Sequence, residues 1–173
     1  MSKAELLKEP AHSTPQPFVI GPEEGEAYWM LGTLTIIKAT GEETDGSFSL
    51  SEQLAPAGFS PPKHVHPEDD ELFYVLSGRV TFEIGDERIT VTPGSTVYAP
   101  HGIPHSYVTE EETRSLIQVF KPGFEQFFAA VGRPAESWTI PTEGPTEEEM
   151  TKVSEVAGQY GFEIIGPPLN AEH

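Results

Sequence analysis

The chain has 173 residues, with 10 Lys plus Arg against 28 Asp plus Glu, a formal charge of -18, and no cysteine. That surplus of acid repels phosphate backbones and anionic lipid heads, so neither nucleic acid nor membrane is an expected partner, and the missing thiols leave only nitrogen and oxygen donors for a metal. One domain suits the length; no stretch approaches the roughly 20 apolar residues of a membrane span, and residues 1–8 lack a signal peptide's apolar core, so a cytoplasmic location is expected.

Residues 1–17 read as a flexible leader, because 10–17 is polar and proline-bearing; His12 sits in it as a bystander. Residues 18–121 read as a β domain. Strands are expected first at 27–31, 34–39 and 48–54. In the second, Lys38 shares parity with Leu34 and Ile36 but stands near a strand end, where its ammonium reaches water. In the third, Phe48, Leu50 and Leu54 lie opposite Ser49, Ser51 and Gln53, and the apolar side is assigned inward, with Phe48 on a cavity wall.

His64 and His66 follow, two residues apart, so extended backbone sends both imidazoles to one face. Glu71 opens the next expected strand, 71–76, and a hairpin brings it to the two histidines. Glu68, Asp69 and Asp70 read as a solvated acidic turn, with Asp70 the runner-up to Glu71 as a ligand. Strands at 80–84, 88–91 and 95–99 come next; Val80, Phe82 and Ile84 alternate with Thr81 and Glu83, which gives one buried and one wet face. The turn at 100–104, Pro-His-Gly-Ile-Pro, exposes His101 and resets the chain so that His105 begins the strand 105–108, before a last one at 114–120. Short strands broken by Gly, Pro and Asp point to an antiparallel sandwich or barrel.

Residues 122–173 read as a helical extension. Phe124, Phe127, Phe128 and Val131 have helical spacing within 123–131, and the three phenylalanines are candidate lid residues. After a loop at 133–145, Thr146 and Glu149 fit a capping box for a helix that carries Met150, Val153, Ala157 and Tyr160 on one stripe and stops at Gly161. That stripe is expected to cover the outside of the β domain.

Two spaced strings organise the middle of the chain. The first is Gly58, five residues, His64, one, His66, four, Glu71, six, Gly78; the second is Gly94, five, Pro100, one, Gly102, two, His105, three, Thr109. In residue type and spacing they resemble the two conserved motifs of the cupin superfamily, and the segment 79–93 fits the short inter-motif stretch of small bacterial cupins. Thr109 departs from the usual Asn at a position that is not a metal ligand in that family. The resemblance implies an all-β fold, the double-stranded β-helix or jelly-roll barrel, with short C-terminal helices, and one divalent metal held by His64, His66, Glu71 and His105. Three imidazoles and a carboxylate suit Ni, Mn, Fe, Co, Cu or Zn alike, and a six-coordinate ion keeps two open positions.

Strand parity sends Phe73 and Val75 inward with Glu71, and Tyr107 inward with His105; Phe48, Phe120, Phe124 and Phe128 complete the expected substrate pocket. With no Arg or Lys clearly inside, the pocket suits a small apolar or aromatic substrate, neutral or phenolic. This pocket, the ligand set and the segment 160–168 are similar to quercetin 2,3-dioxygenase-like cupins. That similarity implies a metal-dependent dioxygenase that uses dioxygen to open an enolic or phenolic ring, with Glu71 also serving as general base. The alternatives are a cupin that binds a small molecule without transforming it, and an isomerase or epimerase, for which no second acid-base pair stands out. By analogy with small cupins, a homodimer joined at sheet edges is expected. No Gly-rich phosphate loop, nucleophile elbow or zinc-finger spacing occurs.

Overall fold

Two antiparallel sheets face each other, and the four motif side chains lie between them. The structure, a computed structural model, describes residues 16–170, so nearly all of the expected leader, His12 included, lies outside the described residues. In chain order the elements are β1 (Ala27–Met30), β2 (Thr33–Ala39), β3 (Ser49–Ala55), β4 (Pro62–Val65), β5 (Glu71–Ser77), β6 (Val80–Ile84), β7 (Glu87–Val91), β8 (Thr96–Ala99), β9 (His105–Thr109), β10 (Thr113–Val119), α1 (Glu125–Val131), β11 (Arg133–Pro134), α2 (Glu147–Val156), a 3-10 turn (Ala157–Tyr160) and β12 (Glu163–Pro168). One sheet runs β11-β1-β2-β3-β10-β5-β8 and the other β12-β4-β9-β6-β7. The fold is the all-β jelly roll that the sequence implied. No described helix is long and apolar enough to cross a membrane.

The alternation along β6 holds in part: Val80 and Phe82 are buried and join Phe73, Val75, Ala99, Tyr107 and Ile117 in the lower core. Thr81, on the expected wet face, is buried too, its hydroxyl bonded to Thr90 and Glu110, and Glu83 and Ile84 are both half-buried. Gly78, in the turn before it, has φ +81°, and a Cβ there would meet the Glu112 carbonyl oxygen at 2.4 Å, so the motif glycine is required both by conformation and by space. Thr109 does useful work at its unusual position. Its Oγ1 donates to the Pro56 carbonyl at 2.6 Å and accepts from Phe59 N at 3.0 Å, which ties the loop before β4 to the end of β9.

The C-terminal extension is part of the core. Phe124, Phe127, Phe128 and Val131 from α1, Val153 from α2, Ala157 and Phe162 pack with Met30, Leu31, Ile37 and Val119 in a second buried cluster at one end of the barrel. Val153 and Ala157 therefore sit in a shared interior, while Met150 and Tyr160 are partly buried against it. The Thr146 capping box forms as expected, with Thr146 Oγ1 accepting from Glu149 N at 3.1 Å and Glu149 Oε2 accepting from Thr146 N at 2.9 Å. Glu149 Oε1 also accepts from Leu31 N at 3.2 Å, which fastens α2 to the barrel rim.

Two strands depart from the expectation. β11 lies in the expected loop and pairs with β1; β12 follows Gly161, whose left-handed φ of 79° ends the 3-10 turn and sends the chain back along β4. Pro167 and Pro168 argue against a strand, but β12 is an edge strand with register shifts on either side of Gly166, where proline is tolerated.

Candidate metal centre

Each histidine and the glutamate arrives from the end of a strand. β4 carries His64, which pairs across the sheet with His105, the first residue of β9. His66 stands just past the end of β4, and Glu71 opens β5 in the opposite sheet. The four side chains meet at one place: Glu71 Oε2 lies 2.8 Å from His105 Nε2, 3.5 Å from His66 Nε2 and 3.9 Å from His64 Nε2. One potential ligand atom from each residue lies within 4.8 Å of all the others. Donors about 2.1 Å from a shared ion are separated by at most roughly 4.2 Å, so a small contraction suffices to place all four on one cation.

The donor chemistry fits such an ion. His64 Nδ1 is 2.8 Å from the Pro62 carbonyl oxygen and His105 Nδ1 is 3.1 Å from that of Ile103. Carbonyls only accept, so each Nδ1 carries a proton and each Nε2 is left with a lone pair directed inward, the arrangement by which outer partners fix a metal-binding tautomer. At 2.8 Å the His105 lone pair would then oppose a carboxylate oxygen, and that contact is stable only with a positive charge between or on them, a proton or a metal. The titration shifts express the same demand. Burial alone would push the Glu71 carboxyl up, but its hydrogen bonds with His105, His64 and His66 win and hold it well below the usual range. Burial pulls His105 down, and its contact with Glu71 reverses this and leaves it raised. His66 Nδ1 is buried with no partner among the described residues.

The neighbouring acids do other work. Asp70, the runner-up, turns away: its Oδ1 accepts from the His101 backbone N and is paired with His101 Nδ1, each at 2.8 Å, and the first of these contacts leads in lowering its pKa to about 2. Asp69 pairs with Lys121 at 3.1 Å, and Glu68 is exposed. His101, exposed as expected, thus pins the turn before His105 to the loop before Glu71.

Above the cluster lies a small cavity of about 80 Å³ that opens toward solvent. Of the expected pocket residues, Phe73, Tyr107, Phe124 and Phe128 line it; Phe48, Val75 and Phe120 do not. Val75 is fully buried in the lower core. Phe120 follows β10, in which Ile117 and Val119 point inward, so parity turns it outward and it is exposed. Phe48 fails because the inward face of β3 is its polar one: Ser49, Ser51 and Gln53 are buried, and Gln53 lines the cavity. The outer face of that sheet is apolar too, so polarity alone misassigns the sides. Lys38 points away from the cavity, its Nζ bound to the carbonyls of Gly21, Pro22 and Glu24 at 2.8, 3.2 and 3.0 Å.

Sequence reasoning missed Met30, Leu31, Val153, Phe162 and Ile164 on the wall. The alternation of Phe162 and Ile164 after Gly161 was the available signal for the last two. Phe162 packs against both His64 and His66, with ring centroids 5.8 and 5.6 Å apart.

Comparison with known proteins places this site in a familiar setting. The Cupin domain family matches residues 50–119, which hold all four donors. Quercetin 2,3-dioxygenase of Bacillus subtilis is 31% identical over 128 residues, 73% of this chain; the match spans only 38% of that protein's length. Among solved structures, KdgF from Halomonas sp. is 24% identical with a TM-score of 0.53, covering 61% of this chain and 94% of that one. A predicted oxalate decarboxylase from Thermotoga maritima is 18% identical with a TM-score of 0.54, covering 61% and 99%. These two structures share the fold.

Proposed function

The chain belongs to the cupin superfamily, and from that premise we propose that it is a metal-dependent dioxygenase that opens the oxygenated ring of a flavonol or a related enolic aromatic. The observation that carries this reading is the placement of a three-histidine, one-glutamate cluster at the base of an aromatic, cation-free cavity. The 31% identity to a quercetin 2,3-dioxygenase supports the substrate class.

His64, His66, His105 and Glu71 would hold the ion. When bound, it would supply Lewis acidity toward an enol oxygen and a redox-capable centre for reaction with dioxygen. The protein's own residues do the rest. Glu71 Oε2 faces the histidines, while Oε1 accepts no hydrogen bond from a described residue, so Oε1 is free to take the enol proton. The imidazoles keep that carboxylate ionised, so it can accept a proton, although its lowered pKa makes it a weaker base than a free carboxylate. Phe73, Tyr107 and Phe124 offer ring faces and edges to a flat ligand, and the phenylalanines of α1 with Phe162 keep water from an electron-rich enolate.

The test uses quercetin, oxygen and protein reconstituted in turn with each first-row divalent metal. Flavonol absorbance falls with release of carbon monoxide, and Glu71→Ala stops both. Absence of turnover with Mn, Fe, Co, Ni, Cu and Zn removes quercetin as a substrate.

A further inference from the structure

Apart from His64, His66 and Glu71, the polar side chains on the cavity wall are Gln53 and Tyr107, and they are bonded to each other. Tyr107 Oη donates to Gln53 Oε1 at 2.6 Å. This bond occupies the acceptor of the amide and turns its Nε2 donors elsewhere. Nε2 makes no hydrogen bond with a described residue, and Gln53 lines the cavity.

The register strengthens the case. Thr35 of β2 and Ser115 of β10 stand directly across from Gln53 on its two sides, so all three share the inward face of the sheet. Thr35 is fully buried and its hydroxyl has no partner among the described residues. Beside Tyr107 the sheet thus presents a polar row of Thr35, Gln53 and Ser115. Tyr107 is two residues beyond His105 on β9, roughly 7 Å along the strand, about the width of a fused bicyclic ring. A ligand with one oxygen at the histidine cluster reaches Gln53 with a second oxygen on a remote ring.

We propose that the Gln53 carboxamide, oriented by Tyr107, determines specificity by donating to an oxygen remote from the one held at the His/Glu cluster. This inference rests on the flavonol reading and narrows it to compounds oxygenated at both ends. A site built to pair a ligand oxygen discriminates strongly against an analogue without it, because the protein's donor is then left unpaired.

The matched probes are quercetin and 3-hydroxyflavone, which share the enol and carbonyl oxygens and differ in their remote hydroxyls. Binding of each to the full chain is measured by calorimetry under nitrogen, where no turnover occurs. Gln53→Met, close in shape and without donors, weakens quercetin roughly fivefold or more and leaves 3-hydroxyflavone within about twofold. Tyr107→Phe, which keeps the fold's aromatic packing and frees the amide, shows the same selectivity in smaller measure. Equal loss for both probes in both variants overturns the inference, as does equal binding of both probes by wild type and variants, which is the outcome if the amide serves only the small void beneath it. Wild-type protein that binds neither probe overturns the flavonol reading, and this inference with it.

Discussion

Replacing Glu71 by Gln keeps the size and hydrogen-bonding reach of the side chain and removes the one formal negative charge in the donor set. Wild-type protein held at metal concentrations 100 times its dissociation constant gains about 2.7 kcal/mol of folding stability from binding alone. Even partners one step removed from a metal cost 10- to 100-fold in affinity when lost, so removal of the carboxylate, whose oxygen lies within 3.9 Å of all three imidazole Nε2 atoms, weakens binding by at least about 100-fold. At the same metal concentration the variant retains about 0.4 kcal/mol of stabilisation. For a chain of this length 1 kcal/mol moves Tm by about 2 to 4 °C, so metal raises the wild-type Tm by about 5 to 10 °C and that of Glu71→Gln by about 1 °C. The metal-free baseline shifts too, because the hydrogen bonds that depress the Glu71 pKa favour the folded state, so each protein is compared with its own chelator-treated form. Thermal scans across the six candidate metals provide the measurement. A variant stabilised as much as wild type would refute the assignment of Glu71 as a ligand, and a wild type stabilised by none of them would refute the centre itself.

Three further outcomes are expected. Metal-free protein is most stable between two pH limits: Glu71, with its folded pKa depressed, contributes stability above its unfolded value that is lost as pH falls through the folded one, while His105, with its folded pKa raised, contributes below its unfolded value and loses it as pH rises through the folded one. Denaturant midpoints of chelated protein across pH show this maximum, and Glu71→Gln flattens it; a profile unchanged by the substitution contradicts the pairing. Thr109→Val, which leaves the Pro56 carbonyl and Phe59 amide without their hydroxyl partner at a 1% exposed position, costs about 1 to 3 kcal/mol by urea unfolding, whereas Thr109→Ser costs less. Glu149→Ala removes both the capping box and the tie to Leu31, so hydrogen exchange quickens through residues 147–156 before it changes in β5 or β9; uniform acceleration would show that α2 does not open separately.

The parts of the molecule that were legible in advance are those written in local rules. Turn glycines at fixed offsets, two histidines on one face of extended chain and the Thr146–Glu149 cap each depend on neighbours a few residues away, and each formed. Choosing Glu71 over Asp70 likewise needed only the six-residue gap to Gly78 and strand parity. What stayed hidden depends on partners distant in sequence. The inward face of β3 is set by its place between β2 and β10 in a sheet whose outer side is also apolar, so the buried serines and Gln53 looked like the wet face. β12 forms because β4 offers it an edge, which overrides the prolines that argued against it.

That division has a functional consequence. All four donors, together with Gln53 and Tyr107, lie within residues 50–119, the stretch shared with the Cupin domain family. Met30, Leu31, Phe124, Phe127, Phe128, Val153, Phe162 and Ile164, which form most of the cavity's upper wall, lie outside it. The candidate metal cluster therefore lies wholly within the family-matched barrel, while the shape offered to a ligand is set by the β1–β2 turn and by C-terminal segments folded back over the mouth. Because Phe162 and Phe124 both touch His66, at 5.6 and 5.5 Å between ring centroids, movement of that wall is felt at the metal-binding cluster itself. Substitutions that resize the upper wall should consequently change both the shape of the cavity and the seating of His66. The orphaned Nδ1 of His66 makes this imidazole the one whose orientation rests on packing, since His64 and His105 are each fixed by a carbonyl.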